Sequence, residues 1–142
     1  MATATEFAAR GKVTGVKNGT VIFSPFNTNY ELHLTTARPY DGPIGTPILA
    51  NIRAKARKVY TVPSGGGFIS PLFGPPKTIQ GRAVHVENGL VVIRAGLLVN
   101  VQLPSDDTGL DLSDGPITVG SLVNAVALPG TSFELVRVAT AQ

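Results

Sequence analysis

The chain has 142 residues, of which 43% are hydrophobic and 15% are charged, and it contains no cysteine. This length fits one ordinary domain or two very small ones, the apolar fraction argues against intrinsic disorder, and the lack of cysteine excludes disulfides, thiolate metal sites and cysteine nucleophiles. The formal net charge is +3, and the 16 glycines and 11 prolines favour short strands joined by turns over helices.

The N-terminal residues 1–12 contain no apolar run of the kind found in secretory signals, and no segment approaches the length of an apolar membrane span. We therefore expect a cytoplasmic protein without a membrane association.

Charge is unevenly distributed along the chain. The residues up to Gln80 include nine Lys/Arg and three Asp/Glu, which gives a net charge of +6. The residues after Gln80 include three Lys/Arg and six Asp/Glu, which gives a net charge of −3. A basic half can meet a polyanion or an acidic surface of another copy.

The segment Gly11–Phe23 aligns with Gly81–Ile93 at an offset of 70 residues, and Asp41–Ile44 recurs as Asp114–Ile117. The same features follow in the same order in both halves, which indicates an internal duplication. The repeated parts cover about 8–62 and 78–139. We expect a basic first unit at 1–62, a Gly/Pro-rich connecting segment at 63–77, and an acidic, more apolar second unit at 78–142.

Each unit opens with an Asn-Gly pair between two apolar segments, at Asn18-Gly19 and at Asn88-Gly89. Asn-Gly favours the two positive φ angles of a type I′ turn, so each pair predicts a two-residue β-hairpin. Cross-strand pairing around such turns predicts one core face in each hairpin. The predicted core residues are Thr14, Val16, Val21 and Phe23 in the first hairpin, and Val84, Val86, Val91 and Ile93 in the second.

Further strands are predicted near 30–34 and 97–103, together with a long strand over 48–62 and a strand over 122–138 with a kink at Leu128–Gly130. Four or five strands in about 60 residues suit a small closed barrel, because closure removes exposed strand edges. The sequence therefore predicts an all-β protein of two tandem OB-like barrels. The alternative is one fused β-sandwich or larger barrel built from both repeats.

The connecting segment 63–77 is too long for a tight turn and carries apolar side chains, Phe68, Ile69, Leu72 and Phe73. We interpret it as a strap that crosses the outside of the barrels or docks on a second copy. Its glycines at 65–67 could instead form a flexible ligand loop. The helix and the Lys-Ser/Thr pair that a phosphate-binding loop needs are missing there.

Alternating residues of the long strand place Arg53, Lys55 and Arg57 on one face, about 6 to 7 Å apart. Rows of cations beside aromatic rings bind single-stranded nucleic acid, so this row is a candidate site for nucleic acid or another anion. A solvated strand face that protects an edge is the other interpretation. The complete set of candidate binding residues is Arg53, Lys55, Arg57, Lys58, Tyr60 and Tyr30.

The second unit has no such stripe, because Leu122–Leu128 is apolar on both faces apart from Asn124. A strand of this kind is covered on both sides. Either the two units pack together there, or the surface is a subunit interface, and we expect a homo-oligomer.

No catalytic or metal site is predicted. His33 and His85 are not equivalent in the repeat, and they lack the spacing of metal ligands. Asp107-Thr-Gly109 matches the tripeptide of aspartic proteases, but the buried apolar strand that precedes it in those enzymes is absent here. The surrounding aspartates lack the spacing of an EF-hand calcium loop. We expect no enzyme activity, no cofactor and no metal.

The duplicated unit of about 70 residues, with Gly-Lys/Arg-x-x-x-Val at Gly11–Val16 and Gly81–Val86 and with Ile52–Ala56 in the first unit, resembles tandem molybdate-binding Mop domains of the TOBE type. The resemblance implies an OB-like barrel and oligomerisation. Two ligand motifs of that family, Ser-Ala-Arg-Asn and Gly-Ala-Val-Asn, are replaced here by Ala8-Ala-Arg-Gly11 and Gly19-Thr-Val-Ile22.

Together these features predict a non-catalytic binding protein that engages single-stranded nucleic acid or another polyanion through the basic strand. The alternative is a structural protein that assembles into a homo-oligomer without a small ligand. Small-oxyanion binding, as implied by the resemblance, is the third hypothesis.

Overall fold

The computed structural model describes residues 7–138, which form an all-β structure with a single short 3₁₀ turn at Asp107–Gly109. Twelve strands belong to one hydrogen-bonded sheet. They are β1 (Ala9–Lys17), β2 (Thr20–Pro25), β3 (Glu31–Thr35), β4 (Ile48–Thr61), β5 (Phe68–Ser70), β6 (Phe73–Gly74), β7 (Thr78–Glu87), β8 (Leu90–Arg94), β9 (Leu98–Gln102), β10 (Leu110–Asp111), β11 (Leu122–Ala127) and β12 (Ser132–Val138).

The strand pairings form two closed circuits that share β4. The first runs β1-β2-β3-β12-β4 and returns to β1, and the second runs β4-β11-β7-β8-β9 and returns to β4. In the first circuit β3 and β12 are parallel, and in the second β9 and β4 are parallel. The pairings cross the division predicted from the sequence, because β12 from the second unit pairs in the first circuit and the C-terminal half of β4 pairs in the second.

The two Asn-Gly turns form the expected hairpins, β1-β2 and β7-β8. A type I′ turn requires a positive φ angle at both central residues, and Asn18 and Gly19 have φ angles of 51° and 78°. At the second turn, Gly89 has a positive φ angle of 79°, whereas Asn88 does not have a positive φ angle. The prediction of a type I′ turn is therefore wrong for the second hairpin. A different turn type connects its strands with the same loop length.

A β-bulge in each hairpin changes the predicted core face. The register shifts between Val13 and Gly15 in β1 and between Ala83 and His85 in β7, again at an offset of 70 residues. The extra residue moves Thr14 to the exposed side and leaves Val84 half-buried, and it brings Val13 and Ala83 into the core in their place. Near the turn, Val16 is also exposed, so that part of the predicted face is wrong.

One continuous hydrophobic cluster runs through both circuits. The long strand β4 contributes to it along its whole length, because alternate residues from Ile48 to Ala56, followed by Val59, point inwards. Burial of this apolar surface is the main source of stability in a chain without disulfides. The largest fully buried side chains are Phe23, Leu32, Leu34, Ile48, Ile52, Ile69, Ile79 and Ile93.

The connecting segment joins the sheet through two short strands, and its Ile69 is buried in the hydrophobic cluster. Its strand β5 pairs with β7, and β6 pairs with β3, so the segment contacts both circuits. The hydroxyl of Tyr30 secures it, since this group accepts a hydrogen bond from the backbone N–H of Ile69 (3.0 Å) and donates one to the carbonyl of Ala95 (3.1 Å).

The apolar strand β11 is paired along both of its edges within the chain. It lies between β4 and β7 and forms antiparallel pairs with both. Leu122, Val123 and Ala125 are buried there. Packing within the chain therefore accounts for the apolar character of 122–125, whereas Val126 and Ala127 are half-buried and Leu128 is exposed, and a subunit interface here stays a prediction.

Candidate functional site

The basic side chains of β4 lie on the outer surface, as their alternation predicts. Arg53, Lys55 and Arg57 are exposed, while the residues between them, such as Ala54 and Ala56, are buried. We call the four exposed cations Arg53, Lys55, Arg57 and Lys58 the basic stripe. It crosses from the part of β4 that pairs with β12 to the part that pairs with β11.

Lys58 belongs to the stripe because of an irregularity in the pairing of β4 with β11. Val126 pairs with Lys58, and the next residue, Ala127, pairs with Ala56, so Arg57 is the unpaired residue of a bulge. Regular alternation would place Lys58 on the opposite face from Arg57. The bulge instead leaves both side chains exposed and raises the local density of positive charge.

Arg53 differs from the rest of the stripe because it forms an ion pair with Glu134 of β12. The distance between Arg53 Nη1 and Glu134 Oε1 is 2.8 Å, and both side chains are more than half exposed. The hydrogen bond from Arg53 lowers the pKa of Glu134, against the opposing effect of burial. Among residues 7–138, Lys55, Arg57 and Lys58 form no salt bridge, so their charges remain open to an external anion.

The two tyrosines of the candidate site lie in different environments. Tyr30 has only 8% of its surface exposed, and its hydroxyl is used in the core, so its ring has no free face for stacking. Its expected role as a stacking partner is therefore incorrect. Tyr60 is half-buried near the C-terminal end of β4 and keeps an accessible part of its ring.

A cleft of about 710 Å³ adjoins the N-terminal end of the basic stripe. Its walls are the β7-β8 turn, the outer residues of β9, the middle of β4 and the loop between β11 and β12. A smaller depression of about 250 Å³ continues from it, since Lys55 and Gln102 line both. The cleft is lined by Arg53, Ala54, Lys55, Asn88, Gly89, Leu90, Asn100, Gln102, Pro129, Gly130 and Ser132.

The cleft contains functional candidates that the sequence reasoning missed, namely the amide side chains of Asn88, Asn100 and Gln102. The sequence pattern predicts a turn at Asn88 and a strand near 97–103 and assigns no binding role to either. A signal was present, because Asn100 and Gln102 alternate with buried Val99 and Val101 and must therefore share the outer face.

An acidic segment lies beside the other end of the stripe. Its strand β10 pairs in parallel with β4, and this pairing places Asp111 opposite Tyr60. The hydroxyl and backbone N–H of Ser113 donate hydrogen bonds to Asp111 and lower its pKa, and the positive charge of Lys58 lowers it further. The acidic residues expected to face another copy thus lie next to the basic residues of the same chain.

The remaining polar candidates form local contacts. His85 Nε2 lies 2.7 Å from Glu87 Oε1, and its ring stacks on Phe7 with 4.7 Å between centroids. His33 is half-buried on β3. Asp106 accepts a hydrogen bond from the backbone N–H of Thr108, which lowers its pKa, in the manner of a turn residue.

Within residues 7–138, no group of three or more histidine and acidic side chains is arranged to hold a metal ion. The same part of the chain has no helix with the length and apolar character needed to cross a membrane.

No family model, curated protein or solved structure matches this chain.

Proposed function

We propose that this chain is a non-catalytic binding protein that engages single-stranded nucleic acid or another polyanion through the basic stripe. The observation that carries the proposal is the exposure of four cations on one strand, three of which form no salt bridge within residues 7–138. Tyr60 lies next in line and can add one aromatic contact.

Charge spacing supports this function. Cations at alternate positions of a strand are about 6 to 7 Å apart, which is close to the separation of successive phosphates along an extended strand. Binding to such a row releases the counterions that surround the polyanion, and affinity then falls steeply with salt. The rigid paired backbone of β4 holds the row in place, so little conformational freedom is lost on binding.

The strand order supports an OB-like interpretation of each circuit. A five-stranded circuit in which the third strand pairs in parallel with the fifth, and the first pairs with the fourth, is the arrangement of an OB barrel. We infer that the chain contains two such barrels that arose by duplication and that each takes its fifth strand from the other unit. The matching bulges at offset 70 agree with this origin.

The test is fluorescence anisotropy of labelled single-stranded RNA and DNA across a salt series, with the double variant Lys55→Glu/Arg57→Glu. We expect the variant to lose most of the binding and to reduce the salt slope by about two, one for each cation removed. Arg53 is left unchanged because its reversal would place two acidic groups side by side at Glu134.

The matched control is Lys12→Glu/Lys17→Glu, which makes the same change of charge on exposed positions of β1. It should keep most of the affinity of the native chain. Equal losses in both double variants would show that only net charge matters, and would count against a defined site on β4.

Assembly into a homo-oligomer is the second candidate function, and an exposed apolar patch favours it. Phe68, Leu72 and Phe73 of the connecting segment are 39%, 48% and 61% exposed. Large apolar side chains grouped in one exposed segment mark contact surfaces. Light scattering on the native chain and on Leu72→Ser/Phe73→Ser tests it: a defined oligomer that dissociates in the variant is expected, and a native monomer at all concentrations would exclude it.

A further inference from the structure

The cleft at the end of the basic stripe exists because two strands leave a gap along β4. Strand β12 pairs with β4 up to Arg53, and β11 pairs with it from Ala56 onwards. The loop that joins β11 to β12 returns to β4 at a single point, where the backbone N–H of Leu128 donates to the carbonyl of Lys55 (2.8 Å). Pro129 and Gly130 follow in this loop and form one wall of the cleft.

The opposite wall comes from the second circuit. Strand β9 pairs in parallel with β4, which sets Asn100 beside Arg53 and Gln102 beside Lys55. The β7-β8 turn closes the far end through Asn88 and Gly89. Arg53 and Lys55 thus each have an amide side chain as a neighbour on β9, at the same level along the two strands.

The side chains that line the cleft include three kinds, namely cationic, amide and apolar. Positive charge lies on β4, amide groups lie on β9 and at the turn, and Leu90 adds a half-buried apolar side chain. The Asn100 amide nitrogen is directed at the backbone carbonyls of Phe7 and Ile52, each at 3.4 Å, so its side-chain oxygen is left as an acceptor. Gln102 is exposed, and both ends of its amide can pair with a ligand.

We propose that this cleft is a nucleotide subsite, in which Lys55 holds a phosphate and the amides of Asn88, Asn100 and Gln102 hydrogen-bond the edge of an unpaired base. A volume of about 710 Å³ is within the range of pockets that bind small organic ligands. Asparagine and glutamine offer a donor and an acceptor together, as base edges require. The half-buried side chain of Leu90 offers an apolar contact for the face of the ring.

This inference rests on the proposed function and makes it more specific. A duplex keeps its bases stacked and paired inside the helix, so no base can enter a cleft beside the phosphate backbone. A polyanion without bases can meet the basic stripe but leaves the amides unpaired with any ligand. The cleft therefore selects single-stranded nucleic acid over both of these ligands.

The experiment compares a short labelled oligodeoxythymidylate with an abasic sugar-phosphate oligomer of the same length, and with a duplex, by fluorescence anisotropy at low salt. We expect the abasic oligomer to bind about tenfold more weakly, which corresponds to the loss of one good base contact. Equal affinity for the two single strands overturns the subsite and leaves polyanion binding intact. No binding of either strand overturns both proposals.

The variant Gln102→Ala removes one proposed base contact without changing the charge. It should weaken oligodeoxythymidylate binding about fivefold and leave the abasic oligomer unaffected, because the lost contact is to a base. The matched control is Asn29→Ala, another exposed amide that lies outside the cleft. If Gln102→Ala weakens both oligomers equally, or neither, the amides do not read a base and the proposal fails. Gln102 is exposed, so the fold should tolerate the change.

Discussion

Gly11 and Gly81 occupy positions at which no side chain fits. A Cβ atom on Gly11 would lie 2.5 Å from the carbonyl oxygen of Ser24, and one on Gly81 would overlap the carbonyl oxygen of Arg94. In both cases the obstacle is the backbone of the neighbouring strand, which cannot move aside like a flexible side chain. The close approach lets β1 and β7 curve tightly against their hairpin partners.

The substitution Gly81→Ala should therefore destabilise the protein by about 2 kcal/mol, since the added methyl group forces the paired strands apart. Urea denaturation followed by circular dichroism measures the change in the free energy of unfolding. Gly66→Ala is the control, because a Cβ there meets no atom within 4 Å. A similar loss in both variants would show that the effect comes from glycine removal in general.

The hydroxyl of Tyr30 gives the second prediction at this scale. Tyr30→Phe leaves the buried N–H of Ile69 without its acceptor, at a cost of about 1 to 3 kcal/mol in unfolding free energy. Tyr60→Phe should cost less, since its half-buried ring does not bridge two segments. Thermal unfolding of the two variants measures which of them loses more stability. Equal stability of Tyr30→Phe and the native chain would contradict the prediction.

At the scale of elements, β10 and the basic stripe form a pair of opposite charge within one chain. Asp111 lies at the end of the stripe and is influenced by Lys58. Under the proposed function, a polyanion that follows the stripe must approach this carboxylate. We therefore expect the acidic segment to limit how tightly and how far along β4 such an anion binds.

Replacing Asp111 with Asn should increase the affinity for single-stranded nucleic acid about two- to fivefold at low salt, because one repulsive charge is removed from a screened surface site. The asparagine oxygen can still accept the hydrogen bond from Ser113, so the turn is preserved. Glu31→Gln on β3 makes the same change of charge away from the stripe and should have little effect. Anisotropy titrations of both variants measure the change in affinity. A gain in Asp111→Asn alone indicates a local effect of charge, and equal gains in both variants indicate an effect of net charge.

Local elements were predictable from the sequence, and their long-range partners were not. The Asn-Gly pairs located both hairpins, and alternation identified the exposed side of Arg53 to Arg57. The core face of the first hairpin was misplaced because a bulge at Thr14 has no clear signal in the residue pattern. The cleft was missed because it requires Asn100 to lie beside Arg53, and this parallel pairing joins strands that are far apart in the sequence.

At the scale of the whole molecule, β4 belongs to both circuits and β12 closes the first circuit from the far end of the chain. The unit at 1–62 thus lacks one strand of its circuit, and the unit at 78–142 lacks β4. Each unit would expose an unpaired edge and part of the common hydrophobic cluster if it were isolated.

We expect the separate fragments 1–77 and 78–142 to be unfolded alone and to regain structure when mixed. Heteronuclear NMR spectra provide the measurement, with narrow amide dispersion for each fragment and native-like dispersion for the mixture. A well-dispersed spectrum of fragment 1–77 by itself would contradict the mutual dependence of the circuits. The full chain should unfold in a single transition.

The position of β12 has a consequence for the order of events during synthesis. This strand ends at Val138, and it supplies the neighbour that β3 and the first half of β4 need. While the ribosome is still translating the second half, the nascent first half has no means of completing its sheet. Its edges must stay open until β12 emerges, so the first circuit closes only after β12 has been synthesised rather than progressively from the N-terminal side.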